Sequence, residues 1–143
     1  MNEDSIQLLK EVDSGCLMAI NSLHQMEEYE MPKQQNSMIT RYIAKHDELQ
    51  KEASRMLHDN HETDKQPGMM ASAMSWLTTE MKLMLHENTR EISKIMMNGC
   101  NMGIQSIREQ MSKYNGAEES AVKLAEKLIK VEEDMFHDAK EFI

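Results

Sequence analysis

Residues 41–57, RYIAKHDELQKEASRML, decide how the rest of the chain is read. On a helical wheel at about 100° per residue, Ile39, Tyr42, Ile43, Leu49, Ala53, Met56 and Leu57 share one face, the pattern of an amphipathic helix. His46 stands at the centre of that face, where an apolar side chain is the ordinary occupant. Three roles suit a histidine there: a metal ligand, a hydrogen-bonded member of a packed core, or a contact across an oligomer interface.

Working outward, the spacing predicts a helix from about 36 to 60, with Asn36 or Ser37 as cap. Before it lies a first helix over 4–29, in which Ile6, Leu9, Val12, Cys16, Ala19, Ile20 and Leu23 recur at threes and fours. Asp4 is its N-cap candidate, and Pro32 in EMPKQQNS cannot continue it. HETDKQPG, residues 61–68, reads as a polar loop. From Met69 to Lys113 the pattern is helical, but one rod of that length would run roughly 65 Å. A break is expected at HENTREI, where Asn88 and Glu91 have capping-box spacing. The expectation is a short helix over 69–86 and a full one over 89–113, with one bent helix as the alternative. YNG at 114–116 closes it, with Gly116 as a left-handed cap, and a last helix covers 117–142.

The sum is an all-α chain: one domain over residues 1–143, a four-helix bundle with one additional short connecting helix. Placing the short helix between the second and third long ones makes that connection a long crossover. Composition agrees, with 5 Gly and 2 Pro among 143 residues and 29% charged side chains. Aromatic residues are only 4% while methionine reaches 16. Methionine fills irregular core gaps, and its spread along the chain argues for core rather than for a clustered copper site.

The net charge is −9, with cations interspersed among anions. No basic stripe offers itself to phosphates, so nucleic acid is not an expected partner. The acidic start, MNEDSIQLLKEVDSG, lacks the apolar core of a signal peptide, and no apolar run approaches the roughly 20 residues of a membrane span. Cys16 and Cys100 are too few for a disulfide framework and suit a reducing cytoplasm.

Two further polar residues fall on apolar faces. Glu132 lies between Leu128 and Met135 in the last helix, and Asp13 flanks the apolar face of the first. Asp13, His46 and Glu132 thus come from three helices, each near its midpoint. Buried charge is costly unless it is paired or bound to metal. The three form a candidate metal site, and a direct His46–Glu132 pair without metal would satisfy both groups equally well. Other features read more simply. His58 and His61 in HDNH form a one-turn pair at a helix end, and Asp134 and His137 share a polar face. Gly99 and Gly103 allow close helix approach, and there is no phosphate-cradling glycine loop. Cys100 is a nucleophile only if the fold supplies a base.

LLKEVDSGCLMAI, KHDEL, MSWLTTEMKLML, NGCNMGIQSI and LIKVEEDM together resemble a family of small, uncharacterised bacterial proteins of the ferritin-like superfamily. The resemblance runs from Leu8 to Phe142. It implies a ferritin-like four-helix bundle with an additional helix carrying Trp76, and it brings no established activity. The wider superfamily holds two irons with four carboxylates and two histidines. Set against that pattern, His46, Glu132 and Asp13 stand at matching places, position 43 is Ile where Glu-x-x-His would need a carboxylate, and the helix at 89–113 offers Gly99, Ser106 and Gln110.

The expectation is a non-catalytic ferritin-like protein of the bacterial cytoplasm, acting as a homo-oligomer (a dimer) or through a protein partner. The alternative is an incomplete metal site at His46, Glu132 and Asp13 holding iron, manganese or zinc. A redox sensor built on Cys100 ranks third.

Overall fold

The computed structural model describes residues 1–62, 77, 81 and 89–143. Its long helices are α1 (Glu3–Met26), α2 (Lys33–Asp59), α3 (Arg90–Lys113) and α4 (Glu119–Ala139), and a 3₁₀ turn over Lys140–Phe142 follows. No strand occurs among the described residues. The expected helix over 69–86, Trp76, and the Asn88 half of the capping box lie outside them.

Local chemistry sets the helix ends. Asn2, not Asp4, caps α1, its side-chain oxygen accepting from the Ser5 N–H at 2.9 Å. Asp4 is thereby freed for a longer reach, and it accepts the Gly116 N–H at 2.8 Å. At the other end α1 stops three residues earlier than the spacing predicts. There Glu28 and Tyr29 turn back on the carbonyls of Gln25 and Met26, at 3.3 and 3.1 Å, in the tighter i→i+3 pattern.

The proline expected only to end α1 also starts α2. Pro32 is the N-cap, in extended geometry at φ −55° and ψ 147°. Its carbonyl accepts from the Asn36 N–H at 3.0 Å, so residues 33–36 form a first turn. That turn carries Gln35 into the core. Its amide, 2% exposed, donates to the Thr89 carbonyl (3.2 Å) and the Ser93 hydroxyl (3.1 Å).

α2 closes with the Leu57 carbonyl accepting from Glu62 (2.9 Å) and the His58 carbonyl from His61 (3.0 Å). Together with the left-handed φ of 59° at His61, this is a Schellman turn. The HDNH pair is therefore the exposed end of a helix. Gly116 corrects the sequence reading. No described glycine has positive φ, and Gly116 matters through proximity instead. A Cβ there would come 2.7 Å from Asp4 Oδ2.

End-to-end contacts give the topology. Lys10 in α1 meets Glu62 just beyond α2 at 3.4 Å, Arg41 in α2 meets Asp138 in α4 at 3.0 Å, and Asn2 reaches the Gly116 carbonyl at 2.8 Å. Gln35 joins the first turns of α2 and α3. The helices therefore run up, down, down, up. α1 packs on α2, α3 on α4, α2 on α4 and α1 on α3, with α1 and α4 also touching across the short diagonal. Neighbours around the bundle are antiparallel, α1 and α4 on the diagonal are parallel, and α2 ends at the opposite end of the bundle from the start of α3. The expected crossover itself lies outside the described residues. No helix among the described residues is long and apolar enough to cross a membrane.

The core has two parts. One gathers Leu23, Met26, Met38, Ile39, Tyr42, Ile92, Met96 and Met135, joined by Leu77. The other gathers Leu8, Leu9, Val12, Leu49, Leu57, Ile107, Leu124 and Leu128. Three helices pass from one part to the other through a small or polar residue, His46 in α2, Gly103 in α3 and Glu132 in α4, whereas α1 changes over between Cys16 and Ala19, with Asp13 set inside the second part. Burial of the apolar parts drives assembly, and the layer between them is where chemistry can reside.

Candidate functional site

The layer is built by helical register. His46 sits one turn from Tyr42 and about one turn from Leu49, both buried, so it cannot leave the core while α2 stays packed. Glu132 is held likewise between Leu128 and Met135. His46 is fully buried, Glu132 is 4% exposed and Asp13 is fully buried, deeper than its flanking wheel position suggests.

His46 Nδ1 lies 2.6 Å from the Tyr42 carbonyl oxygen, and Nε2 bonds directly to Glu132 Oε1. A carbonyl only accepts, so Nδ1 carries a proton and donates it. Two arrangements then remain for Nε2. Either it also carries a proton and faces a carboxylate, or it is bare and accepts from a protonated Glu132. Both place one proton between the two side chains. The histidine that opened the question is thus satisfied at both nitrogens, and its burial leaves it no part in an interface.

The rest of Glu132 is less well served. No nitrogen or oxygen donor among the described residues reaches Oε2. A Cβ on Gly103 would stand 3.2 Å from that oxygen, so the glycine makes room for the carboxyl group. The Cys100 thiol lies near Glu132. Burial first, then the nearby Glu132 carboxyl group, hold Cys100 far above the ordinary thiol range. Burial, with Glu132 and Asp13 adding repulsion, does the same to Cys16. Both cysteines are free and buried. They are kept as thiols, whereas a reactive cysteine needs a depressed pKa. The redox-sensor reading therefore lacks its electrostatic requirement.

Asp13 goes elsewhere. Gln50, one turn beyond His46 on α2, donates to Asp13 Oδ1 at 2.9 Å. Among the described residues no three His, Cys, Asp or Glu side chains are grouped so as to hold a metal ion. An ion shared by His46 and Glu132 would sit about 2.0–2.2 Å from each, holding nitrogen and oxygen roughly 3.3 Å apart at a tetrahedral angle. The direct hydrogen bond occupies that space. On α3, Ser106 is exposed, and the inward line runs through Ile92, Met96, Cys100, Gly103 and Ile107. Asp134 pairs with Lys130 at 2.8 Å, which leaves the Asp134–His137 spacing on the outside.

Three participants escape the sequence reading. Gln50 carries no signal beyond its position one turn from His46. Cys16 is three residues from Asp13 on an inward face, a spacing that is visible. Tyr42 is the third, since its carbonyl orients His46. Its hydroxyl donates to Asp138 Oδ2 (2.5 Å), which also accepts from Arg41. Arg41 and Lys45 flank its ring at 5.3 and 5.1 Å. Compared with protein-family models, curated proteins and solved structures, the chain matches none.

Proposed function

We propose that the chain is a non-catalytic, ferritin-like bundle protein of the bacterial cytoplasm that acts through self-association or a protein partner. In this reading the His46–Glu132 pair stands where a metal centre would otherwise lie. One observation carries it: the two side chains that could best ligate an ion satisfy each other by a direct hydrogen bond.

The topology supports the ferritin-like assignment, since α2 and α3 run parallel in an up-down-down-up bundle, as the one long crossover of that class requires. Comparison with its carboxylate and Glu-x-x-His ligand set supports the loss of the metal. Asp13 takes the α1 place and Ile43-x-x-His46 the α2 place. Gly103 and Cys100 stand in for a carboxylate on α3, and Glu132-x-x-Met135 takes the α4 place. The free, high-pKa thiols fit a reducing compartment.

A second reading, an incomplete site for iron, manganese or zinc, has its own support. His46 donates Nδ1–H to a backbone carbonyl, the orientation usual for an Nε2 metal ligand, and Glu132 Oε2 is buried without a nitrogen or oxygen partner. Elemental analysis of tag-free protein equilibrated with each metal separates the two. The first reading expects less than stoichiometric metal in the wild type and no change in His46→Leu and Glu132→Leu. Stoichiometric metal lost in both variants would replace it with the second. Sedimentation analysis then tests self-association, with a concentration-dependent dimer as the expected result.

A further inference from the structure

We infer that Asn115 is a self-modification site, deamidating through Gly116, and that Asp4 and Asn2 at the start of α1 hold the reaction in check. The chain contains two Asn-Gly pairs, Asn98–Gly99 and Asn115–Gly116. In such a pair the following amide nitrogen attacks the asparagine Cγ. A proton leaves that nitrogen to solvent, the new C–N bond closes a five-membered imide, and the side-chain nitrogen departs as ammonia. Water then opens the ring at either carbonyl, giving aspartate or isoaspartate. Only water and a solvent base take part, and glycine after the asparagine removes the side chain that would crowd the attack.

The two pairs differ in what holds them. Asn98–Gly99 lies in the middle of α3, with Gly99 buried. There the helical backbone and its hydrogen-bond ladder keep the nitrogen away from Cγ. Asn115 and Gly116 are exposed in the turn between α3 and α4, which is closed by Ala117 N–H to the Tyr114 carbonyl at 3.1 Å. In that turn the attacking nitrogen is already engaged, donating to Asp4 Oδ2 at 2.8 Å. The Gly116 carbonyl accepts from Asn2 Nδ2, also at 2.8 Å. Rotating the nitrogen toward Cγ breaks the bond to Asp4, and the Asn2 bond on the next peptide anchors the turn against that rotation.

The missing Cβ at Gly116 has a double effect. It makes the dipeptide reactive, and it lets Asp4 approach, since a Cβ would stand 2.7 Å from the carboxylate. The product would also undo the clamp. A new carboxylate beside Asp4 repels it, and isoaspartate adds a backbone carbon to the turn. Asn2 is the cap of α1 as well, so modification loosens the end of the bundle where α1, α3 and α4 meet.

The test is peptide mapping by mass spectrometry of the full chain after incubation at mildly alkaline pH, scoring amide-to-acid conversion at both asparagines. In the wild type, conversion is expected at Asn115 and not at Asn98. Asp4→Ala should raise the Asn115 rate roughly tenfold, the scale of one lost charge-assisted hydrogen bond, with Asn98 still silent. Asp4→Asn, which keeps an acceptor oxygen, should fall between. Asn98 reports global opening, so an equal rise at both sites in Asp4→Ala would overturn the inference. An Asn115 rate unchanged or lowered by Asp4→Ala would overturn it too, the latter by making Asp4 the base rather than the guard.

Discussion

Replacing both members of the buried pair should be far milder than replacing either one. The His46 and Glu132 side chains are 0% and 5% exposed, so neither can recover a lost partner from water. In Glu132→Leu, His46 keeps its bond to the Tyr42 carbonyl, but Nε2 is left bare inside the core. In His46→Leu, Glu132 loses the imidazole that satisfies Oε1, with Oε2 already without a hydrogen-bond partner among the described residues. Breaking a buried pair from one side costs about 3–5 kcal/mol. At about 2–4 °C per kcal/mol for a chain near this size, each single variant should melt at least about 6 °C below wild type.

The double variant, His46→Leu with Glu132→Leu, removes both polar groups and fills similar volume with apolar atoms. It should lie within about 1 kcal/mol of wild type, or above it. Urea unfolding of the four proteins closes the cycle, with unchanged denaturant slope as the sign that the unfolded state is not the cause. Single-variant costs that add to the double-variant cost within about 0.5 kcal/mol would refute the reasoning. Such a result would mean that the two side chains are satisfied independently.

Other expectations follow from neighbouring contacts. Asp138 is held below the usual carboxylate range, chiefly by the Tyr42 hydroxyl and then by Arg41. Its folded pKa is lower than its unfolded one, so the stabilisation is complete above the unfolded value and disappears as pH falls through the folded value. Tyr42→Phe should therefore cost about 1 kcal/mol at neutral pH, a modest figure because Asp138 is partly exposed. The urea midpoints of variant and wild type should converge in acid, and a deficit independent of pH would exclude the carboxylate as its source. Gly103→Ala and Gly15→Ala should diverge. The first crowds Glu132 at 3.2 Å, whereas the second meets Leu128 at an ordinary 3.5 Å. Helix propensity then favours Gly15→Ala by about 1 kcal/mol, while crowding offsets or outweighs that gain at position 103. Equal thermal shifts would show that Glu132 does not feel Gly103. Cys16 and Cys100, buried with raised pKa values, should resist a thiol reagent until denaturant is added. Rapid labelling of either in the folded protein would contradict their placement.

Periodicity alone was enough to place the long helices and their inward faces, because an apolar stripe at threes and fours can be buried only one way. His46 and Glu132 were legible for the same reason, each interrupting an otherwise apolar line. Helix ends were less so. Pro32 reads as a stop for α1, and only the extended geometry at its ψ makes it the start of α2 and brings Gln35 into the core. Gly116 reads as a left-handed cap, but its role depends on Asp4, a residue far away in the chain.

What the sequence determined by itself was an all-helical chain with polar groups buried in three helices, since burial follows from local pattern. Whether those groups meet a metal or one another was a matter for tertiary structure. Hydrogen bonding and metal ligation differ by about an ångström in separation, and that distance depends on how α2 and α4 pack, with the space left by Gly103 on α3. Packing sent Asp13 to Gln50 and joined His46 to Glu132, because in a low-dielectric interior each polar group is held by the partner the neighbouring helices bring within reach.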